Sequence, residues 1–170
     1  MTLDRRSALV AVGTAITMSG CLGNGGTGED TLEADATVEV RNHVFDPDIV
    51  MIEPGETVGW TLVEGNHSLL TYHEDNGHPT RVPDDTAVIN HNFLEDDSLT
   101  YTFETEGVYD YFCEIRHAQG MIASVVVGEP DEDDPGLAPP QDGISPMIAA
   151  DVESLNERVR EEFGLAAPAE

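Results

Sequence analysis

The sequence predicts an all-β domain, an antiparallel Greek-key sandwich or barrel, with one amphipathic helix appended at the C-terminus. Three observations carry this. Between residues 36 and 128, short apolar alternations of period two recur about every ten residues, separated by Gly, Pro and Asn turns. No stretch of that region has the apolar spacing of a helix. After Ser145, by contrast, a single apolar stripe at helical spacing appears.

The elements follow in order. Val38, Val40 and then Val44 alternate loosely, and Ile49 to Ile52 is a short apolar run closed by the turn Glu53-Pro54-Gly55-Glu56. Val58, Trp60 and Leu62 alternate with Gly59 and Thr61, and Leu69 and Leu70 follow the turn at Gly65-Asn66. Leu99, Tyr101 and Phe103 alternate with threonines, Gly107 opens Val108-Tyr109-Asp110-Tyr111-Phe112, and the β-branched run from Ile122 to Val127 closes the domain. Trp60, Tyr109 and Tyr111 are expected in the core. From Tyr72 to Asp97 the chain is polar, with Gly77, Pro79 and Pro83, and reads as a long excursion that carries function or is pinned by side chains. Residues 129–144 begin with an acidic run from Glu129 and read as a solvated linker. Ser145 is placed to cap a helix over 145–164, with Pro146 in its first position and Gly164 at its end. Its stripe of Ile148, Val152, Leu155, Val159 and Phe163 is expected to dock on the sandwich.

The N-terminus reads as an address. Arg5-Arg6 precedes an apolar run over residues 8–18, shorter than the roughly 18 apolar residues of a spanning helix, so residues 1–20 are expected to be a twin-arginine export signal. Met18-Ser19-Gly20-Cys21 resembles a lipoprotein processing box, which makes Cys21 the lipidation site and residues 21–35 a flexible tether. The expected location is therefore the outer face of the cell membrane, held there by lipid. With Cys21 lipidated, Cys113 has no disulfide partner, and a lone thiol outside the cell calls for an occupant.

Seven Arg and no Lys face 34 Asp and Glu, a net charge of −27. Such a chain repels phosphates, so nucleic acid is excluded as a partner. Salt at roughly 1 M shrinks the Debye length to about 3 Å and screens the self-repulsion, so the composition fits a salty medium.

The chemistry concentrates in Tyr111-Phe112-Cys113-Glu114-Ile115-Arg116-His117-Ala118-Gln119-Gly120-Met121. One hairpin offers a thiolate, an imidazole and a thioether, and His67 adds an imidazole upstream. Two His and one Cys with a weak axial Met make a blue-copper electron-transfer site. His73 competes with His67 as a ligand, while His43, His78 and His91 read as surface or loop histidines.

Several stretches resemble the cupredoxins of the plastocyanin, pseudoazurin and halocyanin type. They are Phe45-Asp46-Pro47-Asp48-Ile49-Val50, Pro54-Gly55-Glu56-Thr57-Val58-Gly59-Trp60, Asn66-His67-Ser68, and Phe103 through Cys113. The resemblance implies a cupredoxin domain over 36–128, one type 1 copper held by His67, Cys113, His117 and Met121, and one-electron transfer to redox partner proteins without a small-molecule substrate. The arginine pair, the lipobox and the acidic lysine-free body further resemble membrane-attached halocyanins of salt-loving archaea. One departure stands out. In plastocyanin-like loops two residues separate the Cys from the His, whereas here three do, and Arg116 stands where the imidazole belongs. A guanidinium that stays charged cannot ligate, so the resemblance passes the role to His117, with a tilted or weaker site as the consequence.

Rival readings differ in class. A multicopper oxidase needs His-x-His pairs, and none occurs. Hydrolysis by Cys113 with a histidine is a second rival, and exported copper binding or trafficking without redox cycling a third.

Overall fold

The computed structural model describes residues 32–167. The expected signal over 1–20, the lipidation at Cys21 and most of the tether lie outside them. Among the described residues no helix is long and apolar enough to cross a membrane. The last tether residues are docked: Asp35 exchanges hydrogen bonds with Thr57, its backbone N–H donating to the Thr57 carbonyl and its carboxylate accepting from the Thr57 N–H, each at 2.8 Å.

The strands are β1 (Ala36–Arg41), β2 (Val44–Asp46), β3 (Ile49–Ile52), β4 (Glu56–Leu62), β5 (Ser68–Thr71), β6 (Asn90–Asn92), β7 (Ser98–Phe103), β8 (Gly107–Phe112) and β9 (Ile122–Val127), followed by helix α1 (Pro146–Phe163). They form two packed sheets, ordered β2-β1-β4-β7 and β3-β9-β8-β5-β6. The expected sandwich is present, but it is mixed rather than wholly antiparallel: β1 runs parallel to β4, and β3 parallel to β9. Alternation tells which face of a strand is buried and says nothing of a neighbour's direction.

Trp60 lies between Val38 and Leu99 in the first sheet, and its Nε1–H donates to the Tyr111 hydroxyl of the second at 3.1 Å. Phe45 and Phe103 complete this aromatic centre, where Trp60 and Tyr111 meet edge to face at 5.6 Å. The first sheet keeps one face in water, so β1 and β7 alternate. In the second sheet β5, β8 and β9 are covered on both faces and buried at every position, while β3 and the edge strand β6 are partly exposed. That explains why residues 108–112 and 122–127 read as apolar runs without alternation, each interrupted by one polar residue, Asp110 and Ser124.

Its outer cover is α1 and the segment before it. Ile148, Val152 and Leu155 pack on Leu70, Tyr72, Phe112 and Ile122, while Val159 packs on Val108 and Val126. The Ser145 side chain accepts from the Met147 N–H, and Gly164 ends the helix at φ +64°.

Residues 129–144 are not the solvated linker that their charge suggests. They form a strap carrying a 3-10 turn at Pro135–Leu137, with Leu137 fully buried. At Gly136 a Cβ would stand 2.6 Å from Val108 Cβ and 2.8 Å from the Val108 carbonyl oxygen, so this approach to β8 admits only glycine. The strap is pinned by Arg81, which is 0% exposed and comes from the long excursion. Its Nε–H donates to Asp110 at 2.7 Å, and its other N–H groups donate to the carbonyls of Gly136 and Ala138 and to the side chains of Gln141 and Asn156. Asp110 also accepts from the Ser124 hydroxyl at 2.5 Å. The excursion further contains a 3-10 turn at Glu74–Asn76 and the edge strand β6, whose Asn-His-Asn sequence gives no apolar signal.

Asp134, in the strap, accepts from the N–H groups of Gly136 and Val108 at 3.0 and 3.1 Å. Burial nevertheless pushes its carboxyl from 3.8 up to about 6, with Asp110 and Asp131 adding to the rise. The folded chain therefore holds this proton more tightly than the unfolded chain. The associated stability is present below about pH 4 and is lost as the pH rises to about 6. Urea midpoints measured across that window should fall with rising pH in the wild type and fall less in Asp134→Asn; parallel slopes would contradict the assignment.

Candidate metal centre

The antiparallel register of β5 and β8, with Leu70 opposite Phe112 and Thr71 opposite Tyr111, brings the start of β5 to the end of β8. His67, just before β5, thus meets Cys113, just after β8. Their Nδ1 and Sγ atoms are 3.7 Å apart. Both side chains are buried, Cys113 at 0% exposure and His67 at 5%. The Ser68 N–H donates to Sγ at 3.3 Å, the Ser68 hydroxyl stands 3.8 Å from it, and that hydroxyl oxygen accepts from the Glu114 N–H at 3.0 Å. Met121 is buried in the same core cluster as Cys113, and the Cys113 N–H donates to the Met121 carbonyl at 3.0 Å, closing the intervening loop.

This pair fits a metal. A soft sulfur and an imidazole nitrogen 3.7 Å apart would both be within reach of one ion at bonds of about 2.0–2.3 Å. Burial lowers the His67 pKa first, and the nearby charges of Arg116 and His43 lower it further, so the ring is kept neutral and its lone pair free for a metal.

His117 is placed elsewhere. The loop from Cys113 to Met121 folds as a 3-10 turn over Glu114–Gln119, closed by Gly120 at φ +78°. His117 Nε2 is hydrogen-bonded to the Tyr72 hydroxyl at 2.6 Å. Its ring lies against Phe112 and His78, with centroids at 4.5 and 5.0 Å. Phe112 and Tyr72 belong to the outer face of the second sheet, whereas Cys113 faces the inner core. Burial, and then His78, lowers the His117 pKa to about 4. Of the four candidate ligands, the structure thus gathers His67, Cys113 and Met121 in the core and holds His117 with Tyr72. Among the described residues no group of three or more His, Cys, Asp or Glu converges as a metal site.

Arg116 follows Cys113 by three positions, and its N–H donates to the Cys113 carbonyl at 3.1 Å. Its side-chain Nε is buried without a hydrogen-bond partner. Two participants escape a reading of the motif alone, Ser68 and Tyr72. The alternation of β5 carries a signal for the second, since Tyr72 lies two residues beyond Leu70 and so on the same face.

Residues 32–128 match the family described as copper binding proteins, plastocyanin/azurin family. The chain belongs to this family. It is 36% identical over 86 residues to the chloroplastic plastocyanin of Tetradesmus obliquus, a match covering 49% of this chain and 58% of that protein. With the plastocyanin of Scenedesmus fuscus it shares 33% identity over 89 residues, covering 49% of this chain and 86% of the relative. The pseudoazurin of Methylorubrum extorquens is 28% identical over 86 residues, covering 51% of this chain and 53% of that protein. The chain thus spans little more than half the length of the first and third of these relatives. In fold, it resembles a pseudoazurin structure from Sinorhizobium meliltoi with a TM-score of 0.59 at 22% identity, over 73% of this chain and 94% of that one. The pseudoazurin of Methylobacterium extorquens AM1 gives a TM-score of 0.57 at 21% identity, over 74% and 99%. Both likenesses support the cupredoxin sandwich. Copper is the cofactor that membership of the plastocyanin/azurin family brings, and the buried His67–Cys113 pair offers two donor atoms to one ion.

Proposed function

We propose that this plastocyanin/azurin family member is a single-copper electron carrier, tethered through Cys21 at the outer face of a membrane. The observation that carries the reading is the buried His67–Cys113 pair, with its sulfur and ring nitrogen 3.7 Å apart. Bound copper supplies the one-electron couple between cupric and cuprous forms. The protein's part is to hold the donors still. Cys113 provides the anionic sulfur, which the Ser68 N–H orients, and His67 provides a neutral imidazole. Met121, buried in the same cluster as Cys113, would offer its thioether to the ion. His117, engaged by Tyr72, is not assigned to the ligand set. A redox partner protein would dock beside His67, where the Phe93 N–H donates to the His67 carbonyl and where Leu94 and Ile115 are exposed. The acidic, lysine-free composition supports a salty external medium.

A second reading is favoured by the position of His117. Two soft or borderline donors with a thioether suit Cu(I), so the same pocket would serve copper trafficking without redox cycling. Cu(II) added to the purified chain, followed by voltammetry, separates the two. A carrier shows an intense visible thiolate-to-copper band and a reversible one-electron wave. A colourless chain that binds only Cu(I) would establish the trafficking reading instead.

A further inference from the structure

Three of the chain's four tyrosines and its one tryptophan belong to a single contact cluster inside the sandwich, the one that also holds Cys113. Tyr109, Tyr111 and Cys113 stand at every second position and so share one face of β8 and its continuation. The Trp60 Nε1–H donates to the Tyr111 hydroxyl at 3.1 Å, and the two rings meet with centroids 5.6 Å apart. Phe103 bridges Trp60 to Tyr101, with centroids at 6.3 and 4.7 Å. Tyr101 lies on β7, the edge strand of the first sheet, and is partly exposed. An aromatic column thus runs from the fully buried thiol to the surface of the sandwich.

Cysteine, tyrosine and tryptophan are the side chains that lose a single electron most readily, and each does so best where a proton can leave. The two ends of the column provide for that. Tyr101 can give its hydroxyl proton to water, and the Cys113 sulfur faces the His67 Nδ1 at 3.7 Å. The middle does not. The Trp60 N–H faces a hydroxyl rather than a base, and a charged radical on that 0% exposed ring would be costly. Tyr109 is a side branch, its ring 4.8 Å from Phe103 and its hydroxyl donating to the Thr105 carbonyl, which is no base either. An electron hole entering at Tyr101 therefore finds its resting place at Cys113. A bulky oxidant cannot reach that thiol directly, since it is 0% exposed.

We propose that Tyr101, Trp60 and Tyr111 form a one-electron relay through which the metal-free chain reduces external oxidants of the peroxyl-radical class with the Cys113 thiol. The peroxyl radical takes one electron and the hydroxyl proton from Tyr101 and becomes a hydroperoxide. An electron from Cys113 then passes through Tyr111 and Trp60 to Tyr101, which recovers its proton from water. The thiol proton moves to the His67 ring and from there to water, and a thiyl radical remains on Sγ. The net change is transfer of one hydrogen atom from the thiol to the peroxyl radical. No metal takes part, so this inference stands apart from the copper reading.

The test exposes the metal-free full chain to peroxyl radicals from a water-soluble azo initiator under oxygen, and reads oxidation of Cys113 by peptide mass spectrometry. Hydrogen peroxide, which oxidises thiols by two electrons and needs no relay, is the control. In the wild type the radicals should oxidise Cys113 ahead of Tyr101. Tyr101→Phe and Trp60→Phe should each slow radical-driven oxidation of Cys113 several-fold and leave the peroxide rate unchanged. Tyr101→Phe keeps a ring at a partly exposed position, so it carries the test if Trp60→Phe fails to fold. Equal radical-driven rates in Tyr101→Phe and the wild type would overturn the proposal, as would a wild type whose Tyr101 is oxidised while Cys113 stays reduced. Matching changes in the radical and peroxide rates would overturn it too, because they mark altered access to the thiol rather than a broken relay.

Discussion

Arg81→Ala is expected to destabilise the domain by about 3–5 kcal/mol, the range for breaking a buried ion pair by removing one partner. Asp110 is 3% exposed, and burial already raises its pKa against the opposing pull of Arg81. Without the guanidinium it loses its main reason to stay ionised. The carbonyls of Gly136 and Ala138 and the side chain of Asn156 lose a donor at the same time, although Asn156 still donates to the Ala138 carbonyl at 2.9 Å. Because these acceptors lie in the strap and in α1, the loss should release the C-terminal cover as well as weaken the sheet. Urea denaturation followed by circular dichroism measures the first effect, and proteolysis after Gly128 measures the second. The double variant Arg81→Met with Asp110→Leu should recover much of the loss, since it leaves no uncompensated charge. A loss under about 1 kcal/mol in Arg81→Ala, the scale of a surface pair, would show that the network is not a stabilising centre.

The second large effect concerns the thiol. Cys113→Ser should eliminate the intense visible band of the Cu(II) form while leaving the fold intact. The serine oxygen fits the same space and still accepts from the Ser68 N–H, so stability should change little. It provides no thiolate, and the charge-transfer transition goes with the sulfur. Copper bound by His67 alone with exogenous ligands should give weak tetragonal spectra. Survival of the strong band in the serine variant would remove Cys113 from the metal site.

Much of the sandwich was legible in residue order because one sheet faces water. The alternations around Val38, Trp60 and Tyr101 are the direct imprint of a half-buried pleat, and the largely apolar runs ending at Phe112 and Val127 mark strands covered twice. The strap was hidden for a different reason. Its grip on Arg81 is made mostly by main-chain carbonyls, which any sequence provides, with the Gln141 side chain added, while its charged residues advertise solvent. Gly136, Leu137, Gln141 and Ile144 carry traces of the contact, but none of them stands out as a core position in an acidic run. At the metal centre, the residue types and spacing led to His67 and Cys113, which the fold brings together. The orientation of His117 was not readable from its own loop, because it depends on a hydroxyl 45 residues earlier in the chain. The arginine in the imidazole's customary place was the visible clue.

Phe112 and Cys113 are adjacent in sequence yet face opposite ways, one against the helix and the other into the inner core. A single peptide unit therefore couples the C-terminal cover to the sulfur. On the copper reading proposed above, repacking Val152 or Leu155 would tune the copper potential from a distance, without altering any proposed ligand.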